Sequence, residues 1–143
     1  MAALAYADEL IARILRETRT IALIGASRNP LRPSHEVMAF LQGRGYRVLP
    51  VNPGLAGQIL HGEKVWASLA EIPEPVDMVD IFRRSDAVPP VADQAIAKGV
   101  KFVWMQLGVR HDEAAAKAEA AGLTVIMNRC PAIEIPRLGL PPV

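Results

Sequence analysis

The chain has 143 residues, a formal net charge of +1 and a composition that is 51% hydrophobic but only 5% aromatic. One domain of ordinary size is expected, with a core of Ala, Val, Leu and Ile. The near-neutral charge argues against general nucleic-acid or membrane-surface binding, which needs a basic stripe or run, and the arginines are scattered apart from the near-pairs Arg28/Arg32 and Arg83/Arg84.

A single cysteine, Cys130, excludes an internal disulfide framework and a structural zinc site, and no metal site is expected. The opening "MAALAYADELIARILRETRT" carries Asp8, Glu9 and Glu17, where a signal peptide would be basic and then apolar. No stretch approaches the length needed to cross a bilayer. These features point to a soluble, cytoplasmic protein. Few Asn, Gln and Cys beside many Pro and Arg fit a thermophile or a GC-rich genome.

In chain order, residues 1–19 read as an amphipathic N-terminal helix packing on the rest, with Leu4, Ala7, Ile11, Ile14 and Leu15 on one face. Short apolar runs then alternate with helical patterns through residues 20–143. The runs Thr20–Ile24, Arg47–Val51, Val76–Phe82, Phe102–Gln106 and Leu123–Met127 predict strands, mostly continuous in apolar character, as buried parallel strands are. Helices fit at His35–Gly43, at Ser85–Lys98 with Pro89 and Pro90 in its first turn, and at Glu113–Ala121 before Gly122. Ser68-Leu-Ala-Glu71 reads as a capping box that opens a short helix ending at Pro73. The tail "RCPAIEIPRLGLPPV" reads as proline-punctuated chain wrapping over the surface. Five strands alternating with helices predict a single α/β domain with a doubly wound, parallel five-stranded sheet.

In such a sheet, ligands lie beyond the carboxyl ends of the strands. The first end, Gly25-Ala26-Ser27-Arg28, allows a tight turn that aims backbone N–H groups at a phosphate, with Ser27 as a hydroxyl donor and Arg28 and Arg32 adding charge. It is not a G-x-G-x-x-G loop, since Ser27 and Pro30 occupy the later glycine positions, and it reads equally as a plain strand-ending turn. After the second strand comes Asn52-Pro53-Gly54, with no acid to hold a ribose 2′-hydroxyl. A ligand phosphorylated on its ribose is therefore permitted, which NADP(H) and coenzyme A both are. The third end, Phe82-Arg83-Arg84, reads as a phosphate clamp with Phe82 packing on an adenine; the alternative is an exposed basic turn pairing with Asp86.

"GASRNPLRPS", "VLPVNPG", "VDMVDIF", "VWMQLGV" and "NRCPAIE" occur in this order at the five strand ends. Together they resemble the CoA-binding domain family, the small Rossmann-like domain related to the N-terminal half of the succinyl-CoA synthetase α-subunit. The likeness runs from about Ile21 to Leu138. It implies CoA or a short acyl-CoA held by Gly25, Ala26, Ser27 and Arg28, by Asn52, Pro53 and Gly54, by Phe82, Arg83 and Arg84, and by Gln106 and Gly108. The synthetase's phosphohistidine domain has no counterpart in the chain, and His35, His61 and His111 do not match its histidine. Binding is what the resemblance carries over.

No catalytic residue is identified. Cys130 follows the last strand and reads either as a thiol activated by Arg129, able to form a mixed disulfide with CoA, or as a small buried hydrophobe. His111-Asp112-Glu113 reads as a helix start, and Trp66 and Trp104 as packing residues. The favoured reading is a stand-alone CoA-binding module without a catalytic domain: a sensor, a carrier or a protein partner of an enzyme acting on acyl-CoA. The alternatives are an NADP(H)-dependent oxidoreductase, for which no Tyr-x-x-x-Lys pair is found, or a nucleotide-sensing domain of the same fold.

Overall fold

The computed structural model describes residues 4–143. Ile11, Ile14 and Leu15, spaced a helical turn apart, are almost wholly buried and form the inner face of α1 (Asp8–Glu17). Asp8 and Glu9 in its first turn and Arg16 in its last suit the helix dipole. Thr18 closes the helix, its amide and hydroxyl both donating to the Ile14 carbonyl at 3.1 and 2.8 Å. The helix starts later than the sequence spacing predicts. Leu4 and Ala7 lie ahead of it, and Leu4 packs on the core from non-helical chain.

Seven strands follow. Two of them, β3 (Ile59–Leu60) and β4 (Glu63–Lys64), form a small antiparallel hairpin. The other five are β1 (Thr20–Ile24), β2 (Arg47–Val51), β5 (Met78–Ile81), β6 (Phe102–Met105) and β7 (Thr124–Ile126). They make one parallel sheet in the order β2-β1-β5-β6-β7, with Leu23 opposite Asp80 and Asp80 opposite Trp104. This is the Rossmann-like α/β arrangement expected from the sequence.

Four more helices complete the two outer layers: α2 (Pro33–Gly43), α3 (Val88–Lys98), α4 (Asp112–Ala120) and α5 (Pro131–Arg137). Ala22, Ile24, Val79, Ile81 and Val103 join one apolar layer with Val91, Ala95 and Ala118 of α3 and α4. Ile21, Leu23, Met78, Trp104 and Ile126 join the other with residues of α1, α2 and α5. Because both sheet faces are covered, the strands are apolar on both faces rather than at alternate positions, with Thr20, Arg47 and Thr124 at strand starts and Asp80 inside β5 as the exceptions. Each such side chain contributes roughly 1.5–3 kcal/mol by leaving water.

Three local expectations are corrected. Leu69–Glu71 is a single 3-10 turn, and the Ser68 hydroxyl points to Glu71 Oε2 at 3.4 Å rather than to a backbone amide, so no capping box forms. The helix predicted from Ser85 starts as a 3-10 turn, Ser85–Ala87, and becomes α3 only at Val88. Pro89 and Pro90 do fall in its first turn, where a missing N–H costs nothing. The tail does not simply wrap over the surface: Pro131 starts α5, which buries Ile135, and the final amide of Val143 donates to the Arg44 carbonyl at 2.9 Å. The β3–β4 hairpin was not anticipated. Its two-residue turn, His61-Gly62, has φ of 48° and 80°, the doubly left-handed geometry that tight hairpins favour.

Candidate functional site

The chain runs outward from β1 to β2, then crosses back over β1 to enter β5. Neighbouring strands β1 and β5 therefore send their following loops to opposite faces, and a crevice opens beyond their carboxyl ends. The two loops are pressed together there. Phe82 N–H donates to the Ile24 carbonyl at 2.8 Å. Gly25 has φ of 90°, and a Cβ at that position would overlap the Phe82 carbonyl oxygen. Glycine is needed both for the conformation and for the close approach.

The loop after β1 is wired internally. The Gly25 and Ala26 amides both donate to the Val51 carbonyl, at 3.0 and 3.2 Å, so its amides available to a ligand begin at Ser27. Asn52 brackets the two strand ends: its Nδ2 donates to the Ala26 carbonyl at 2.7 Å and its Oδ1 accepts the Gly54 amide at 2.8 Å. Ser27 Oγ accepts the Asn29 amide and Asn29 Oδ1 accepts the Leu31 amide, each at 3.0 Å. These two side-chain turns deliver the chain to Pro33, the first residue of α2. Arg28 donates to Gln58 Oε1 at 3.1 Å and to the Ile59 carbonyl at 3.2 Å, tying the loop to the hairpin.

Two hollows adjoin this loop and share Gly25, Asn52 and Arg83. The first, about 430 Å³, lies on the α3 side and is walled by Pro53, Gly54, Ser68, Leu69 and Gln94. The second, about 680 Å³, opens between the α2 N-terminus and the ends of β5 and β6, with Ser27, Arg32, Phe82, Arg84 and Gln106 in its wall. Both volumes suit a ligand of cofactor size. Among the described residues the guanidinium groups of Arg32 and Arg83 make no hydrogen bond or ion pair, and Arg84 pairs only with Asp86 at 3.3 Å, both well exposed. Such a pair contributes little and is readily exchanged for a better partner. Glu36 also lines the second hollow, and it sets a limit on where an anion can sit.

Of the residues singled out from sequence, Gly25, Ala26, Ser27, Asn52, Pro53, Gly54, Phe82, Arg83, Arg84 and Gln106 line one hollow or both. Arg28 and Gly108 line neither. Gly108 instead receives Asn128 Oδ1 on its amide at 2.8 Å, which fixes the turn after β6. Ser34, Val37, Ser68 and Gln94 line the hollows without having been singled out. Ser34 sits at the start of the helix that follows a glycine turn, a sequence signal that could have found it; the other three lie on helix faces or connections with no distinguishing pattern.

Two buried polar side chains lie below this surface. Gln106 is 5% exposed, and its Oε1 has no donor among the described residues. Asp80, one pleat below Phe82, is fully buried with neither oxygen hydrogen-bonded among the described residues, and burial pushes its carboxyl well above the ordinary range. Arg129 is committed elsewhere than to Cys130: it donates to the carbonyls of Asn128 and Leu4, both at 2.9 Å, and stacks over Tyr6. His111 caps α4, its Nδ1 accepting the Ala114 amide at 3.0 Å. Trp104 is a core residue and Trp66 packs half-buried against the core.

A parallel α/β sheet with a glycine turn and a two-part groove at its switch point defines a Rossmann-like α/β domain. The chain belongs to the CoA-binding domain family, whose pattern matches residues 19–136. It is 38% identical to the Bacillus subtilis protein YneT, itself uncharacterised, over 84% of this chain and 87% of that one. A solved structure from Thermus thermophilus superposes with a TM-score of 0.89 at 40% identity, covering 93% of this chain and 99% of that one. Acetate–CoA ligase [ADP-forming] II of Archaeoglobus fulgidus is 35% identical over 58% of this chain, which corresponds to only 12% of the ligase. The domain is thus homologous to the CoA-binding domain of ADP-forming acetyl-CoA synthetases. Among the described residues no helix is long and apolar enough to cross a membrane.

Proposed function

We propose that the chain binds coenzyme A or a short acyl-CoA across the β1/β5 switch point, as a binding module rather than a catalyst. The observation that carries this reading is the pair of hollows joined at Gly25 and Arg83, beside Arg32 and Arg83, which make no hydrogen bond or ion pair among the described residues. CoA is itself a two-part ligand, a nucleotide and a pantetheine arm joined by a diphosphate. Its roughly four negative charges near neutral pH cannot be held by a chain whose net charge is only +1. Local donors must hold them, and Arg32, Arg83, Arg84 and the Ser27 hydroxyl are placed to do so.

The adenosine suits the first hollow. The Asn52 amide there is locked to Ala26 and Gly54, and no carboxylate lines that hollow to repel a ribose phosphate. The arm suits the second, where the partnerless Gln106 Oε1 fits an amide N–H. The residues present therefore fit the ligand the family implies. Beyond binding, the reading makes the protein a sensor, carrier or partner for enzymes that act on acyl-CoA.

Thermal shift with CoA, acetyl-CoA, NAD, NADP and ATP tests it. A ligand at one hundred times its Kd adds about 2.7 kcal/mol of stability. CoA or acetyl-CoA should raise the melting temperature most. Stabilisation by NADP and not by CoA would move the protein to a dinucleotide-binding role, which the missing acid after β2 also permits.

A further inference from the structure

The second hollow reaches a thiol. Cys130 lies between β7 and α5, lines this hollow and is 6% exposed. It belongs to the same apolar layer as Trp104, Ile126 and Ile135. The Trp104 indole N–H donates to the Arg129 carbonyl at 2.9 Å and so fixes the backbone one residue before the thiol.

Gln106 is an independent sign of a ligand beside it. Trp104 faces the α2/α5 layer, and strand alternation puts the Gln106 side chain on that same face, onto which the second hollow opens. Its Oε1 is buried without a donor among the described residues, a costly state unless a ligand supplies one. In the pantetheine arm the N–H nearest the sulfur is separated from it by two methylenes. Gln106 and Cys130 line the same hollow, so an arm entering it would bring an amide donor and a thiol to a wall that holds an acceptor and a cysteine.

We propose that Cys130 is a site of reversible covalent capture of CoA, forming a mixed disulfide with the pantetheine sulfur while Gln106 Oε1 accepts the neighbouring amide N–H. This rests on the CoA reading above. The step is thiol–disulfide exchange with the symmetric disulfide of CoA, which is the oxidised reactant. The Cys130 thiol loses its proton to water and attacks one sulfur. The new Cys130–CoA S–S bond forms as the old one breaks, and one CoA leaves as a thiolate that takes up a proton. No other oxidant is needed. Excess reduced CoA reverses the step, so occupancy follows the thiol–disulfide balance around the protein.

Incubation with CoA disulfide, followed by intact-mass spectrometry, reads the capture directly. Cys130 is the sole cysteine, so any disulfide-linked CoA reports on it. Calorimetry with reduced CoA runs in parallel to measure binding alone. The expected result is one CoA per chain, released by dithiothreitol and formed at least tenfold faster than an adduct with glutathione disulfide. In Gln106→Leu, the ratio of the rate with CoA disulfide to the rate with a small alkyl thiosulfonate should fall roughly tenfold. A change in packing alone would move both rates and leave the ratio intact. If the protein binds reduced CoA yet forms no adduct, or reacts with both disulfides equally fast, covalent capture is overturned and the binding reading stands. If it binds no CoA, the binding reading falls and the capture with it.

Discussion

After β1, the polar side chains Ser27, Arg28 and Asn29 hydrogen-bond to their own loop or to the hairpin, and Asn52 clasps the loop from the end of β2. After β5, among the described residues, Arg83 has no hydrogen bond or ion pair and Arg84 pairs only with the exposed carboxylate of Asp86. The two loops touch at Gly25 and Phe82, yet one holds its shape without a ligand while the other presents charge that only a ligand can neutralise. A binding site needs both. A rigid loop sets where the phosphates go at little cost in entropy on binding, and an unpaired cation supplies the energy once they arrive.

The comparison predicts a graded set of effects. The largest should come from Gly25→Val, which places a β-branched side chain at positive φ and against the Phe82 carbonyl, forcing the loops apart. Stability should fall by on the order of 3 kcal/mol and CoA affinity by more than about 100-fold. Urea unfolding with calorimetry on the folded fraction checks both. Parent-like affinity in this variant would mean that the junction of the loops is not the binding point.

Arg83→Ala comes next. A charge-assisted hydrogen bond contributes about 1.5–3 kcal/mol, so affinity should drop roughly 10- to 100-fold with the melting temperature little changed. Titration at two salt concentrations should show a shallower salt dependence than the parent. An unchanged Kd would remove the role assigned to the loop after β5.

Asn52→Ala tests the rigid half. Losing both bracket hydrogen bonds should weaken CoA about tenfold, chiefly because the loop must be ordered on binding. A less favourable binding entropy in calorimetry would mark that cause; a purely enthalpic loss would instead make Asn52 a direct ligand.

Beneath the β5 loop, Asp80 should give the protein a pH-dependent stability. Its folded-state pKa is raised by burial, so the folded state holds this proton more tightly than the unfolded chain does. The contribution is complete below the unfolded pKa of about 4 and is lost as pH rises towards the folded value, by at most about 1.4 kcal/mol per pH unit. Asp80→Asn should flatten the difference, seen as urea midpoints that separate progressively from the parent above pH 4. Parallel midpoint curves for the two proteins would contradict a raised pKa. The smallest effect on binding is expected for Arg28→Ala, at most a few-fold, because its guanidinium is already engaged by Gln58 and Ile59.

The five sheet strands were legible because each is a mostly continuous apolar run, broken inside only by Asp80 in β5, and the ligand end followed from their being parallel. The β3–β4 hairpin was not, since two-residue strands show no periodicity; the Gly62 of its turn was the only cue, and His61 at φ 48° is not a residue that announces one. Helix α5 hid behind Pro131 and Pro136, read as punctuation: Pro131 falls in the first turn, where proline is tolerated, whereas Pro136 sits inside the helix, where proline ordinarily breaks one. At the site, residue type alone could not tell an arginine committed to the hairpin, Arg28, from two that have no partner, Arg32 and Arg83. That distinction lies in hydrogen-bond partners contributed from thirty residues away, which no local pattern contains.

The seam between β1 and β5 also bears on how the chain folds. Its paired residues, such as Leu23 and Asp80, are distant in sequence, whereas β1, α2 and β2 form a nearly local unit. Closing the seam carries a larger loop entropy, so it should be a late event. The groove therefore exists only once that closure is made. A ligand seated there would act as a latch rather than a template: it would leave the folding rate nearly unchanged and slow the unfolding rate in step with its occupancy.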